Sequence, residues 1–236
     1  MSYFDHFLDS PGTSLGNWID RTSKMRICKA IRTFLPEANS NILELGSGWG
    51  DLAECFREAG YKNYVCVEPN PGLRGHLSRR GFLVKDYIVP PILEENNSYD
   101  AVILIEVFEH LNDARDVSVF MNEVGRVLRP GGIICIHSPD YLHWKEDFFN
   151  GDYTHSNVTT VRRTIQLFHN NRFSTLNYVY FSGFIAGPMA TLMSHLMRFG
   201  LFFFIGNKID SKLYKLKLTF LRQYLIIGAN GSKYTE

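Results

Sequence analysis

Apolar residues in this chain fall into short continuous runs, and between the runs lie segments in which apolar positions recur every three or four residues. "NILEL" (41–45), "YVCVEPN" (64–70), "FLVKDY" (82–87), "YDAVILIEV" (99–107) and "IICIHSP" (133–139) read as strands. The unbroken apolar character of the fourth is the pattern of a strand covered on both faces. Ile19–Phe34, Asp51–Ala59, 71–81 and Ala114–Leu128 carry the helical spacing, with Pro36, Gly60 and Gly81 as stops and "RPGG" (129–132) as a turn into the fifth strand. Further on, 159–173 predicts a helix, 174–183 a sixth strand and 223–230 a seventh. Strict alternation of strand and helix implies an α/β fold, a parallel sheet wrapped by helices with right-handed crossovers. Any ligand is expected at the carboxyl ends of its strands.

Composition narrows this picture in only a few respects. With 236 residues, 45% of them hydrophobic, the chain can bury one large core. The division expected is an N-terminal helical segment over 1–40 and a main domain over 41–236. A formal net charge of +1 with interspersed signs offers no basic face for nucleic acid. The opening "MSYFDHFLDS" lacks a basic start and an apolar core, so no secretory signal is read and a cytoplasmic protein is expected. Cys28, Cys55, Cys66 and Cys135 fall inside predicted elements with no C-x-x-C pair, which suits reduced, buried thiols.

Gly46, Gly48 and Gly50 sit between the first strand and its helix, where missing side chains allow a tight turn and a close approach of backbone N–H groups to a ligand. A plain structural turn accounts for the glycines equally well, but two acids add to them. Glu68 closes the second strand, where a carboxylate can accept from two ribose hydroxyls. Asp86 closes the third beside Tyr87, suited to an adenine amino group and ring face. A dinucleotide oxidoreductase would need its third glycine three positions after the second, where this chain has it two positions after.

"LELGSGWG", "VEPN", "KDY", "YDAVILIEVFEHL" and "RVLRPGG", in this order over roughly Asn41 to Pro139, resemble the class I S-adenosylmethionine-dependent methyltransferases. The resemblance implies a Rossmann-like, seven-stranded methyltransferase sheet with helices on both faces and S-adenosyl-L-methionine as cofactor. It also implies that Glu44 with the Gly46, Ser47, Gly48 and Gly50 loop holds the methionine end, Glu68 with Pro69 and Asn70 the ribose, and Asp86 with Tyr87 the adenine.

"EVFEHL" then raises its own question, because a buried strand discharges Glu106, Glu109 and His110 within five residues. If Glu106 starts a helical turn, the three side chains face one point, and two carboxylates with an imidazole suit Mg²⁺, Mn²⁺, Fe²⁺ or Zn²⁺. His155, in the polar loop "NGDYTHSNVTT" after the fifth strand, is a fourth candidate, since that loop should return over the same face. Glu-x-x-Glu-His with a later histidine resembles the divalent-cation site of polyprenyl-quinone O-methyltransferases and of small-RNA 3′-terminal 2′-O-methyltransferases. Two other readings stand beside it: Glu109 favouring a helix start with His110 packing locally, and His110 or His155 acting as a metal-free general base.

Residues 184–222 exceed what a hairpin needs. "FIAGPMATLMSHLMRFGLFFFIG" approaches membrane-span length but is broken by Pro188, His195 and Arg198, and "SKLYKLKLTFLR" combines cations with leucines and aromatics. This apolar helical insertion is expected either as a lid over the core or as a peripheral contact with the inner face of the membrane. The function expected from all of this is O-methylation of a catechol or sugar diol, on a small or lipid-linked acceptor. RNA 3′-end methylation and a non-catalytic nucleoside-binding scaffold are the alternatives.

Overall fold

In the computed structural model, which describes residues 14–199 and 212–231, the apolar runs form the centre of one sheet. Strands β1 (Ile42–Leu45), β2 (Tyr64–Val67), β3 (Leu83–Lys85), β4 (Tyr99–Ile105) and β5 (Leu128–Pro139) pair in parallel in the order β3-β2-β1-β4-β5. Beyond β5 lie β8 (Gln223–Asn230), β6 (Phe173–Ser182) and β7 (Ile185–Ala186), each antiparallel to its neighbour. The sheet thus has eight strands where seven were expected, the extra one being the two residues of β7. "RPGG" does not precede β5 but lies within it, at an irregularity in its pairing with β4.

Successive residues of a strand face opposite sides, and the two cores divide accordingly. Leu43, Leu45, Val102, Leu104, Ile134 and Ile136 pack on one side, with α4 (Ala114–Val127) and α7 (Val161–Asn170) above them. Ile42, Cys66, Ala101, Ile103 and Cys135 pack on the other, against α1 (Ser14–Arg32), α2 (Asp51–Glu58) and α3 (Pro71–Arg79). Helix α1 contributes Ile27 and Ile31 to that core, so it is an integral layer of the domain. The four cysteines are free and buried, and burial pushes the Cys28 and Cys66 thiols up to about 12.

Short helices α5 (Tyr141–Trp144) and α6 (Asp147–Gly151) follow β5, and the 184–222 insertion builds α8 (Pro188–Phe199) and α9 (Lys212–Phe220) around its middle, 200–211, which lies outside the described residues along with 1–13 and 232–236. Both insertion helices are tied down by buried polar groups. Arg222, directly before β8, donates through Nε to Asp140 at 2.8 Å. The Tyr214 hydroxyl and the Lys217 ammonium both reach Asp147, at 3.0 and 2.6 Å. Among the described residues no helix is long and apolar enough to cross a membrane.

Candidate functional site

At the carboxyl ends of β1, β2 and β4 a cleft of about 430 Å³ opens, with Gly46, Gly48, Trp49, Glu68, Tyr87 and His110 on its wall. A larger hollow, about 770 Å³, lies at the opposite ends of the strands around Lys62, Tyr64 and Phe82, away from every candidate residue. Two glycines of the loop have distinct reasons to be glycine. A Cβ on Gly46 would stand 2.5 Å from Val107, whereas one on Gly48, at φ +52°, would meet nothing within 4 Å and would project into open space at the cleft. Gly50 serves packing, since a Cβ there would strike Leu77 at 2.4 Å.

Glu68 is 4% exposed and ties this loop to the second strand. Its two oxygens accept from the backbone N–H groups of Gly48 at 2.8 Å and Asn70 at 2.9 Å. Burial lifts its pKa, and those two donors oppose the lift. Each carboxylate oxygen keeps lone-pair capacity for a further donor. Pro69 lines the cleft, while Asn70 is fully buried and caps α3 by accepting from the N–H groups of Gly72 and Leu73. Ser47 and Glu44 lie beneath the loop, the serine hydroxyl donating to the Glu44 carbonyl at 3.3 Å. Asp86 departs from its expected place. Strand β3 ends at Lys85, and the Asp86 side chain, 63% exposed, pairs with Arg74 at 2.8 Å off the cleft wall, leaving Tyr87 as the adenine-side candidate.

The chain leaves β4 by a sharper route than a helical turn. Glu106 has φ +57°, in the left-handed region that a non-glycine residue occupies at a cost of about 1–2 kcal/mol, and its N–H donates to the His137 carbonyl at 3.0 Å. A 3₁₀ turn over Phe108–His110 follows. This backbone reversal gives the three side chains different partners, although the Glu106 and Glu109 carboxyls stay close to each other. Glu106 turns to the His137 ring, with Oε1 2.7 Å from Nδ1 but off the hydrogen-bond line. Glu109, His110 and His155 come together instead, their ligand atoms all within 4.8 Å of one another. Glu106, expected as a fourth member, lies outside this group, with its carboxyl beside that of Glu109.

His155 reaches this point because its loop is stitched to the turn. Ser156 and Asn157 N–H groups both donate to the Glu109 carbonyl at 2.9 Å, and the Asn157 amide donates to the Phe108 carbonyl at 3.1 Å. The hydrogen bonds also settle the tautomers. Thr154 spends its hydroxyl proton on Asp152 at 2.6 Å, so at 2.7 Å from His110 Nδ1 its oxygen must accept. The Phe148 carbonyl, 2.6 Å from His155 Nδ1, can only accept. Both rings thus carry the proton on Nδ1 and leave the Nε2 lone pair for a ligand. Burial, then the neighbouring His155, holds the His110 pKa below 6.5. Glu109 is fully buried, with Oε2 accepting from Ser138 at 2.8 Å and Oε1 without a hydrogen-bond partner among the described residues. Burial, then the Glu106 charge, raises its pKa well above the ordinary value.

Three residues of this region went unread in the sequence: His137, Ser138 and Lys24. The first two sit at the end of β5, where "IHSP" followed a strand pattern that drew attention only to its apolar positions. Lys24 lies on α1. Burial would lower its pKa, yet Asp20, Glu106, Glu44 and Asp51 outweigh that and hold it above the usual value. Glu106, which burial alone would raise, is in turn held below its ordinary range by His137 and Lys24.

Residues 19–176 match a family described as a methyltransferase domain. A methyltransferase of Mycobacterium tuberculosis, itself uncharacterised, is 35% identical over 108 residues, covering 44% of this chain and 42% of that protein. A ubiquinone biosynthesis O-methyltransferase of Paramagnetospirillum magneticum is 33% identical over 109 residues, 42% of this chain and 40% of the relative. The chain thus spans under half the length of the curated relatives it matches. An S-adenosylmethionine dependent methyltransferase from Mesorhizobium loti shares the fold, with a TM-score of 0.61 at 13% identity over 86% of this chain and 96% of that one.

Proposed function

The chain belongs to the class I S-adenosylmethionine-dependent methyltransferases, and from that premise we propose that it methylates a hydroxyl oxygen of a catechol or sugar-diol acceptor, carried on a lipid, with Mg²⁺ or Mn²⁺ held by Glu109, His110 and His155. One observation carries the reading. Glu109, with one buried carboxylate oxygen that has no hydrogen-bond partner among the described residues, and two imidazoles that each keep a bare Nε2 bring ligand atoms within 4.8 Å of one another beside the cleft wall. This donor set fits a divalent ion, and Ser138, Thr154 and the Phe148 carbonyl orient the three ligands from behind. The cleft in turn suits S-adenosylmethionine, with open space at Gly48 and spare acceptor capacity on Glu68.

When bound, such an ion lowers the pKa of a coordinated hydroxyl and so makes the acceptor oxygen a nucleophile at neutral pH. The protein's own part is positional. Three protein ligands leave coordination positions that two adjacent hydroxyls can fill, which favours a diol over an isolated alcohol. His110 lies on both the cleft wall and the cation cluster, so the acceptor oxygen is held at the border of the cofactor cleft. Trp144 and Phe148 pack on His155, with ring centroids 6.4 and 4.7 Å away, and shield that side from water.

Chelation followed by Mg²⁺ or Mn²⁺ titration tests the reading on an acceptor panel of catechols and diols. Turnover is expected to vanish with chelator and return with metal. Alanine at His110 or His155 should cost metal and rate while S-adenosylmethionine binding persists. Unchanged kcat under chelation would overturn the metal, and a rate then lost in His155→Ala would assign that residue as a general base.

A further inference from the structure

His110 and His155 keep their Nε2 lone pairs by different means. The His155 ring donates to the Phe148 carbonyl, an acceptor that cannot reverse its role. The His110 ring faces the Thr154 hydroxyl, which can donate or accept, so a threonine alone would leave the tautomer of His110 open. Were that hydroxyl to donate to Nδ1, the ring proton would sit on Nε2 and close the position from which the ring binds a cation. The choice is made one residue further out, at Asp152.

Asp152 Oδ1 accepts twice from one residue, from the Thr154 N–H at 2.8 Å and from the Thr154 hydroxyl at 2.6 Å. The first bond fixes where the hydroxyl stands, and the second takes its proton. Thr154 is 3% exposed, so water is kept from offering the hydroxyl another partner. Its remaining lone pairs can then only accept, and His110 Nδ1, 2.7 Å away, must be the donor. The same turn leads into the second histidine, whose N–H donates to the Asp152 carbonyl at 3.3 Å. Because Oδ1 carries both bonds from Thr154, the role belongs to an acceptor oxygen and not to negative charge. An asparagine can offer the same oxygen.

We propose that Asp152 is a positioning residue for the cation cluster: through Thr154 it holds the His110 proton on Nδ1 and keeps Nε2 bare for an ion shared with Glu109 and His155. The inference rests on the reading of those three residues as cation ligands. The tautomer it assigns nevertheless belongs to the protein alone and is set before any ion arrives. Partners behind a ligating histidine fix its ring and its tautomer, and their loss typically costs about 10–100-fold in metal affinity.

Long-range proton–nitrogen correlation spectra of the isotope-labelled, metal-free full chain read the tautomers at a pH where both imidazoles are neutral, with His110→Gln and His155→Gln assigning the signals. Wild type should carry both protons on Nδ1. Thr154→Val, which keeps the backbone turn, and Asp152→Ala should each move the His110 proton to Nε2 and weaken Mn²⁺ binding in calorimetry roughly tenfold or more. Thr154→Ser and Asp152→Asn should keep the wild-type tautomer, because they keep the hydroxyl and the acceptor oxygen. His155 should remain protonated on Nδ1 in all four. Should Asp152→Ala not fold, Thr154→Val and Asp152→Asn decide. A wild-type His110 protonated on Nε2, a tautomer unmoved by Thr154→Val, or one moved by Asp152→Asn would overturn the proposal. So would a His155 proton displaced along with that of His110, which would reduce Asp152 to holding the loop. Tautomers that shift as expected in a protein that binds no Mn²⁺ would overturn the cation reading instead, with the His110 tautomer still assigned to Asp152.

Discussion

Replacing Glu44 by glutamine probes the electrostatics under the glycine loop with no ligand required. Glu44 is 2% exposed, and burial pushes its pKa up to about 8 against the opposing pull of Tyr64, Ser47 and Lys24. The unfolded chain releases that proton near 4.5, so between the two values only the folded protein holds it. The resulting stability is full below about 4.5 and lost as pH rises through about 8. At about 1.36 kcal/mol per unit the whole effect is of order 5 kcal/mol, of which roughly 2 kcal/mol disappears between about pH 6.5 and about pH 8.5. Glutamine keeps the shape and has no proton to lose. Urea unfolding at both pH values should therefore show wild type losing roughly 2 kcal/mol more than Glu44→Gln, or about 4–8 °C in melting temperature. Glu109, also buried with a raised pKa, titrates in both proteins and cancels in the comparison. Parallel pH profiles for the two proteins would refute a carboxyl held neutral beneath the loop.

Gly48→Val should abolish S-adenosylmethionine binding in calorimetry, since it fills the open space above the loop and strains a left-handed backbone position; undiminished binding by the folded variant would remove the loop from the site. Cation binding should expel the Glu109 proton, because a ligand must be the carboxylate and burial keeps the acid protonated. Calorimetry near pH 6 in two buffers of different ionisation enthalpy should then show net release approaching one proton, reduced in Glu109→Gln. His110, its pKa held below 6.5 by burial and by His155, should add less to that release than an ordinary histidine. His137→Phe should cost about 1–2 kcal/mol by removing the partner of the Glu106 carboxylate, which is 35% exposed, and adding Glu106→Gln should recover most of it. Additive losses in that double-mutant cycle would deny the pair.

The parallel half of the sheet was legible because its strands are buried on both faces, which leaves unbroken apolar runs bounded by glycine and proline. Ends were less legible where polar side chains replace the ladder. β3 stops at Lys85 because Tyr87 turns back to donate to Glu94 at 3.0 Å, and a contact across that distance in sequence leaves no local trace. The same limit explains β7, two residues long and too short for any period. Helix α8 was foreseen as apolar, but which side of it would remain uncovered depends on Arg222 and His143, neither of which is local to it.

At the site, the residue types were legible and the grouping was not. Spacing along a helix assumes a uniform backbone, and Glu106 breaks that assumption with a single left-handed residue. One such residue turns the Glu106 carboxyl to His137 while Glu109 takes Ser138, the next residue of β5, so two neighbouring carboxyls that look equivalent acquire different partners. His137 and Lys24 keep the first charged, while burial beside that charge keeps the second protonated. The division has chemical consequences. A Glu106 held charged places a negative group at the cleft wall, and a Glu109 held protonated has a proton to give up to the divalent ion proposed for its cluster. The left-handed backbone at Glu106 aims its carboxyl at His137 while Glu109 keeps Ser138, so their partners, and not the distance between the two carboxyls, set them apart.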